Sequence, residues 1–218
     1  MTSNRYTKDY DEVKTVGALS STDRPADRTT VAQFYAVSSP TFIFHSVARQ
    51  LAQARGDSLS ANARNLALIS VATNDSLIAS FWTKYYYNFW RPYNAIRASI
   101  DDANPKTAAD SDFTPLIATP CFPSYPSNHA SGSNAAAEAL RRMYGAAGHS
   151  ITLSNTIPGV GVVTLGYTSL EQICDDVDDA RIYGGIHFRF DQQAGVGLGR
   201  GVATSIIKNN LKPIHGQR

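Results

Sequence analysis

Cysteine and charge are both scarce in this chain, and no apolar run is long. Only two cysteines, Cys121 and Cys174, occur in 218 residues. They fit no metal-ligand spacing and are too few for a disulfide scaffold. We read them as unpaired thiols, although nothing in the sequence forbids a bridge. Charged residues make up 17% of the chain and the net charge is +2. That balance is too small to argue for nucleic acid or an anionic membrane as the main partner, so any preference for anions must be local. The best apolar stretch, Leu66 to Trp82, is interrupted by Asn74 and Asp75. It falls short of the roughly 20 apolar residues a membrane span needs. The opening Met-Thr-Ser-Asn-Arg-Tyr has no apolar segment of the kind a secretory signal carries. Localisation stays open between a cytosolic protein and one whose leader lies outside this chain.

What is present is a composition 43% hydrophobic on a chain long enough to bury one good core. Helical periodicity dominates and predicts a mainly α fold. Val31–Tyr35 and Phe42–Ala54 have helical spacing around the turn Ser38-Ser39-Pro40, and a longer pattern runs from Leu59 to Asn88. Pro92 marks an end or kink after it. A polar, proline-containing connection follows from Asp101 to Pro126. Ala130–Tyr144 reads as a helix stopped by Gly145. Ser150–Leu153 and Val162–Tyr167 have β character and suggest a small hairpin around Pro158-Gly159. Two last helices fit Ser169–Tyr183 and Phe188–Asn209, separated by Gly184-Gly185. We expect one domain over 1–218, with entry helices in 1–57 and a helical bundle in 58–210.

Three segments of that bundle carry the chemistry. In the first, Lys84-Tyr-Tyr-Tyr-Asn-Phe-Trp-Arg91-Pro92, a seven-residue step is nearly two helical turns. Lys84 and Arg91 therefore share a face if the helix persists. Aromatic rings around them exclude water and strengthen charge interactions. In the second, Pro123-Ser-Tyr-Pro-Ser127-Asn128-His129 opens the Ala-rich helix. A helix N-terminus offers free N–H groups and the positive end of the macrodipole. Ser127 can cap that helix or donate its hydroxyl to an anion, and His129 is placed to exchange protons with a ligand there. In the third, Arg181 and His187 stand on either side of Gly184-Gly185, a pair that can break the helix and turn both toward one point. Asp191, four residues after His187, would fix the imidazole tautomer from the same helix face. Three permanent cations, two histidines, a hydroxyl and a helix start, with little acid among them, suit a tetrahedral oxyanion. Phosphate and vanadate both qualify.

The order Lys-x6-Arg-Pro, Pro-Ser-x-His, Arg-x5-His-x3-Asp, carried by Lys84–Pro92, Pro126–His129 and Arg181–Asp191, resembles the vanadium haloperoxidase and type 2 phosphatidic acid phosphatase superfamily. Phe89–Pro92 and Tyr183–Asp191 look like its soluble bacterial haloperoxidase branch. The resemblance implies a helical bundle of that type with at most a small β-hairpin. It also implies a vanadate cofactor, with phosphate able to occupy the same site. His187 would be the metal ligand, and Lys84, Arg91, Arg181, Ser127 and the Asn128 backbone N–H would hold the oxygens. His129 would be the acid–base group, Asp191 would orient His187, and Lys84 would also assist catalysis. The implied activity is halide oxidation by hydrogen peroxide without a change in the metal's oxidation state. Two alternatives reuse the site: a soluble acid phosphatase acting on phosphate esters through a phosphohistidine at His187, and a non-catalytic oxyanion-binding module.

This chain departs from the family pattern in three places. Asn128 stands where glycine is usual, so its side chain is expected to crowd the site or reshape halide preference. Ala180 replaces a common serine. The additional N-terminal helical region of soluble relatives is not seen, which implies either a piece of a longer polypeptide or a homo-oligomer in which a second copy covers the exposed face. We expect the second. Export is common among relatives. Phe81, Trp82 and Phe122 resemble a halide-pocket lining, with plain core packing as the other reading of Phe81 and Phe122. His45, His149 and His215 are assigned to packing or surface. The acidic run Asp175, Asp176, Asp178 and Asp179 is expected to be a solvated face with one member pairing Arg181. Arg97 and Arg189 are expected to support the motifs through ion pairs.

Overall fold

Serine starts five of the helices. The hydroxyls of Ser3, Ser39, Ser58, Ser127 and Ser169 accept the backbone N–H groups of Tyr6, Phe42, Ala61, Ala130 and Gln172, donors that have no partner inside the helix. The fold is that of a computed structural model, which describes residues 1–98 and 102–212. Its elements in chain order are α1 (Asn4–Val16), α2 (Ala26–Ala36), α3 (Pro40–Arg55), α4 (Leu59–Tyr87), α5 (Pro92–Arg97), α6 (Asn128–Tyr144), β1 (Ala147–Ile157), β2 (Gly161–Ser169), α7 (Leu170–Tyr183) and α8 (Arg189–Asn209). None of the described helices is long and apolar enough to cross a membrane.

α6 is the centre of the bundle. It is buried without interruption from Ala130 to Leu140 because α3, α4, α7 and α8 all pack on it. Its Ala, Ser and Gly residues make that possible, since small side chains let several backbones approach one helix. The closest approach is from α8, where a Cβ on Gly199 would sit 2.1 Å from the Ser131 carbonyl oxygen. A buried hydroxyl contact between Ser76 of α4 and Ser131, and the Ser80–Asn128 hydrogen bond at 2.6 Å, line the α4–α6 contact. The apolar core lies beside α6 and contains Phe34, Tyr35, Phe44, Leu140, Ile151 and Ile173. Each such side chain contributes about 1.5–3 kcal/mol on burial.

The single described sheet is the antiparallel hairpin β1–β2, with Ile151 opposite Tyr167 and Leu153 opposite Leu165. Ile151, Leu153, Ile157 and Tyr167 point into the core, as the two-residue period requires. The hairpin is longer at both ends than its sequence pattern suggests, because Ser154, Asn155 and Thr156 read as loop residues yet occupy a half-solvated strand.

Two helices escaped the sequence pattern. α1 is dense in charge but buries Tyr6, Tyr10 and Val13 at helical spacing. α5 follows Pro92, which occupies the first helical position and so begins a new helix as well as ending the previous segment. These two helices, with Phe113 and Phe188, form a second cluster that supports the loops carrying Arg91 and His187. Asp101, at the start of the polar connection, and His215 lie outside the described residues.

Candidate active site

α4 does not continue to Arg91, so the shared helix face expected for Lys84 and Arg91 is corrected. The helix ends at Tyr87, Asn88 takes a left-handed conformation with φ 46°, and Arg91 is extended, as the residue before a proline prefers. The reversal at Asn88 swings Arg91 back toward the end of α4. Lys84 donates from Nζ to the carbonyls of Pro123 and Ser124 at 2.8 and 2.6 Å. Arg91 donates from Nε to the Phe122 carbonyl at 2.8 Å and from Nη1 to the Ile186 carbonyl at 2.9 Å.

α7 stops at Tyr183, and Gly185 adopts φ 76°. A Cβ there would lie 2.4 Å from the Gly17 carbonyl oxygen, so the turn admits only glycine. It brings His187 to Arg91, whose Nη1 lies 2.9 Å from Nε2 of the imidazole. Arginine only donates, so Nε2 presents its lone pair and the ring proton resides on Nδ1. Nδ1 donates to Asp191 Oδ2 at 2.8 Å. His187 precedes α8, so this contact spans the start of the helix and not one of its faces, a second correction to the expected geometry. The same Asp191 oxygen accepts the Phe188 N–H at 3.1 Å and the Ser124 hydroxyl at 2.6 Å.

The second segment closes the cluster. The Ser127 hydroxyl accepts from Ala130 N–H at 3.3 Å, which leaves its proton free to donate. The Ser127 N–H donates to the Asp191 carbonyl, joining the starts of α6 and α8. Asn128 turns its side chain to Ser80, away from the crowding expected of it. His129 is half-buried.

Electrostatics set this cluster apart. Lys84, Arg91, Arg181 and His187 are all buried, with Asp191 the one carboxylate bonded within the group. Burial, then Arg91, pushes the Lys84 ammonium down to about 7 against the pull of Asp191. Burial lowers Arg91 to about 10, and burial with Arg91 nearby lowers Arg181 to about 9. Burial followed by Arg91, Lys84 and Arg181 drives His187 well below the usual imidazole range, so it is neutral. Burial and Arg181 do the same to His129, opposed by a hydrogen bond with the Ser38 backbone. Burial raises Asp191 to about 6, opposed first by the Ser124 hydrogen bond, so it stays ionised at neutral pH. Concentrated positive charge held away from water favours a multiply charged anion. Within the cation cluster, Arg91 Nη2 and Arg181 Nε are buried donors with no acceptor among the described residues. With the free first-turn N–H groups of α6, they fit a tetrahedral oxyanion such as vanadate or phosphate. Asp191 is already spent on orienting the imidazole.

Phe122 covers the cations, its ring centre 5.4 Å from Lys84 Nζ and 5.0 Å from Arg91 Cζ. Phe81 meets Phe122 edge-on at 5.3 Å. Trp82 is exposed and stacks on Tyr86. A cleft of about 480 Å³, lined by Asn88, Trp90, Arg91 and Phe122, opens beside the cluster. A larger one of about 660 Å³, between Arg5, Tyr87, Tyr125 and Phe190, contains none of the cluster's cations. Charge, not cavity size, therefore locates the site.

Ser124 went unassigned in the sequence, although it bonds Asp191 through its side chain and Lys84 through its carbonyl. A small residue three positions before Ser127 was its only signal. The expected ion pair between Arg181 and the acidic run is contradicted. Asp176 pairs with Arg28 and Asp179 with Arg189, while Arg181 donates to the Tyr35 carbonyl at 3.2 Å. Arg97 is not in an ion pair among the described residues; it bonds the Phe113 carbonyl and lies over Tyr93. Cys121 is exposed and Cys174 buried, both free.

A helical bundle is also what known proteins share with this chain. A family model described as the VCPO second helical-bundle domain matches residues 64–216, and the chain belongs to that family. Among curated proteins, the vanadium chloroperoxidase of Curvularia inaequalis is 34% identical over 91 residues, 38% of this chain and 14% of that protein. A crystal structure of a bacterial vanadium-dependent iodoperoxidase superposes with TM-score 0.76 at 25% identity, over 93% of this chain and 49% of that one. Holo-type bacterial vanadium-dependent chloroperoxidase gives TM-score 0.75 at 17% identity, over 93% and 47%. The chain thus spans about half the length of these solved relatives and a smaller share of the curated one.

Proposed function

We propose that this chain is the vanadate-holding bundle of a haloperoxidase-type oxidoreductase that uses hydrogen peroxide to oxidise halide. The observation that carries the reading is the neutral His187, whose Nε2 lone pair faces a buried group of three cations while its Nδ1–H is held by Asp191. His187 would bind the metal, and Asp191, braced by Ser124, would keep the ring turned and its Nε2 basic. Lys84, Arg91 and Arg181 would neutralise the oxygens, with the Ser127 hydroxyl and the Asn128 N–H completing the cradle. Bound vanadate would supply a Lewis acid that activates peroxide for two-electron oxidation without itself changing oxidation state.

His129 is the proton carrier in this scheme. Neutral and within reach of the charges of Arg181, Arg91 and Lys84, its imidazole would take up a proton from peroxide and later give it back. The overall change balances as halide, peroxide and one proton giving hypohalous acid and water. Phe122 and Phe81 keep water from the cations, so that each charge acts in a medium of low dielectric. The relatives' names, chloroperoxidase and iodoperoxidase, favour this chemistry over phosphate-ester hydrolysis through His187.

The test is bromination of a phenol dye by vanadate-loaded protein with peroxide and bromide. We expect turnover by the wild type and none by His187→Ala. No halogenation, together with vanadate-inhibited hydrolysis of an aryl phosphate, would make the protein a phosphatase. Failure to bind either oxyanion would leave neither enzyme reading standing.

A further inference from the structure

The outer face of α4 is the strongest feature that the proposed chemistry does not use. Ser60, Ala63, Ala67, Val71, Asn74, Ile78, Phe81 and Tyr85 are all exposed and follow one another at steps of three and four, which is one continuous stripe of a helix. Trp82 and Tyr86 flank it. Ile78 and Trp82 are each 68% exposed and Tyr85 is 65% exposed. From Leu66 to Tyr87 the only exposed charge is Asp75, at the stripe's edge, because Lys84 is turned inward. A solvated helix face normally carries charges, and a contiguous apolar face of this size marks an interaction surface.

Its two halves are unlike. Before Asn74 the stripe is small, with Ser60, Ala63 and Ala67; after Asn74 it is bulky, with Ile78, Phe81 and Tyr85. Measured from Asn74, Ala67 stands as far on one side as Phe81 on the other, Ala63 as far as Tyr85, and Val71 as far as Ile78 to within one residue. We propose that two copies of this chain form a two-fold dimer by antiparallel packing of α4 on α4, with Asn74 at the axis. In that register Phe81 and Tyr85 of one copy lie over Ala67 and Ala63 of the other, Ile78 lies beside Val71, and the two polar Asn74 side chains meet. A parallel arrangement would set aromatic against aromatic and alanine against alanine, leaving clashes at one end and gaps at the other. A foreign partner would bring its own complement and would require no such relation between the halves of α4. This is the isologous geometry of common homodimers. A whole aromatic side chain carries about 150–250 Å², so Trp82, Tyr85 and Tyr86, each about two thirds exposed, offer about 300–500 Å², to which Ile78, Phe81 and the small half of the stripe add toward the roughly 800 Å² per partner of a standard interface. The start of the partner's α4 would then lie over Phe81, whose ring rests against Phe122 above Lys84 and Arg91. Dimerisation thereby thickens the water-excluding cover of the cation cluster. The inference itself is independent of what that cluster binds.

Sedimentation velocity from 1 to 100 µM (concentrations chosen to span about 1 µM affinity) should give a species of twice the 23.6 kDa chain mass. Ile78→Arg should shift it to monomer, with far-UV circular dichroism unchanged. The register is read by cysteine pairing in a Cys121→Ser background. Asn74→Cys should form a covalent dimer with itself under mild oxidation. Ala63→Cys and Tyr85→Cys, each about 16 Å from the axis at 1.5 Å per residue, should cross-link only when mixed. A chain that is monomeric at the highest concentration, a dimer indifferent to folded Ile78→Arg, or self-cross-linking at 63 or 85 but not at 74 would each overturn the proposal.

Discussion

Arg181 and Arg189 are eight residues apart and lie in opposite electrostatic worlds. Arg189 is gripped by Glu12 and Asp179, each at 2.6 Å, and these partners hold its guanidinium above the ordinary range although burial acts the other way. Arg28, paired with Asp27 and Asp176, is raised for the same reason. Arg181 is equally part of a helical framework, yet it has only a backbone carbonyl for company and is pushed down to about 9. A cation buried with carboxylates is a structural element whose account closes within the protein. A cation buried beside other cations destabilises the fold until an anion arrives, which is the physical mark of a binding site.

Breaking that contrast should show it most strongly at Arg181. In Arg181→Met, affinity for vanadate or phosphate should fall about 100-fold or more, about 2.7 kcal/mol, while thermal stability without the anion stays level or rises. A melting temperature that drops with affinity would mean that Arg181 is structural. The converse change, Arg189→Met, should lower the unfolding free energy in urea by about 1 kcal/mol and leave oxyanion affinity within about twofold. Loss of binding there would erase the distinction between the two arginines.

The smallest effect is a proton. Lys84 stands at about 7 when folded against about 10.4 in an unfolded chain. Between those values the unfolded state holds more protons, so the Lys84 contribution makes stability rise with pH across that window. A bound dianion favours the charged ammonium and reverses the preference. Sulfate, whose charge is constant in this range, should therefore bind at pH 8 with net uptake of a fraction of a proton, seen by calorimetry in buffers of different ionisation enthalpy. Lys84→Met should abolish the uptake. Binding with no proton uptake would show that the lysine is already charged.

Most of the cation cluster was legible because its members are residue types that proteins seldom bury. Lys84, Arg91, Arg181 and the His187–Asp191 pair stand among aromatics and glycines where solvated charges would be out of place, and they recur in the order of a known family. The long helices were legible from apolar spacing, and the ends of α6 from Ser127 and Gly145. α1 was hidden by its charges, and α5 by a proline that begins a helix as readily as it ends one. Ser124 was hidden because half of its role is played by a backbone carbonyl, which every residue possesses.

Composition and spacing by themselves determined that this chain would be a helical bundle and singled out the cations and histidines that it brings together, since periodicity and residue type are local properties. Only the tertiary structure decided which carboxylates reach which cations. It sent Asp176 and Asp179 to Arg28 and Arg189, turned Asn128 toward Ser80, and left Arg181 without acid. Such pairings depend on distances across the fold, and electrostatic energy depends on those distances and on the water excluded between them, neither of which is written at any single position of the chain.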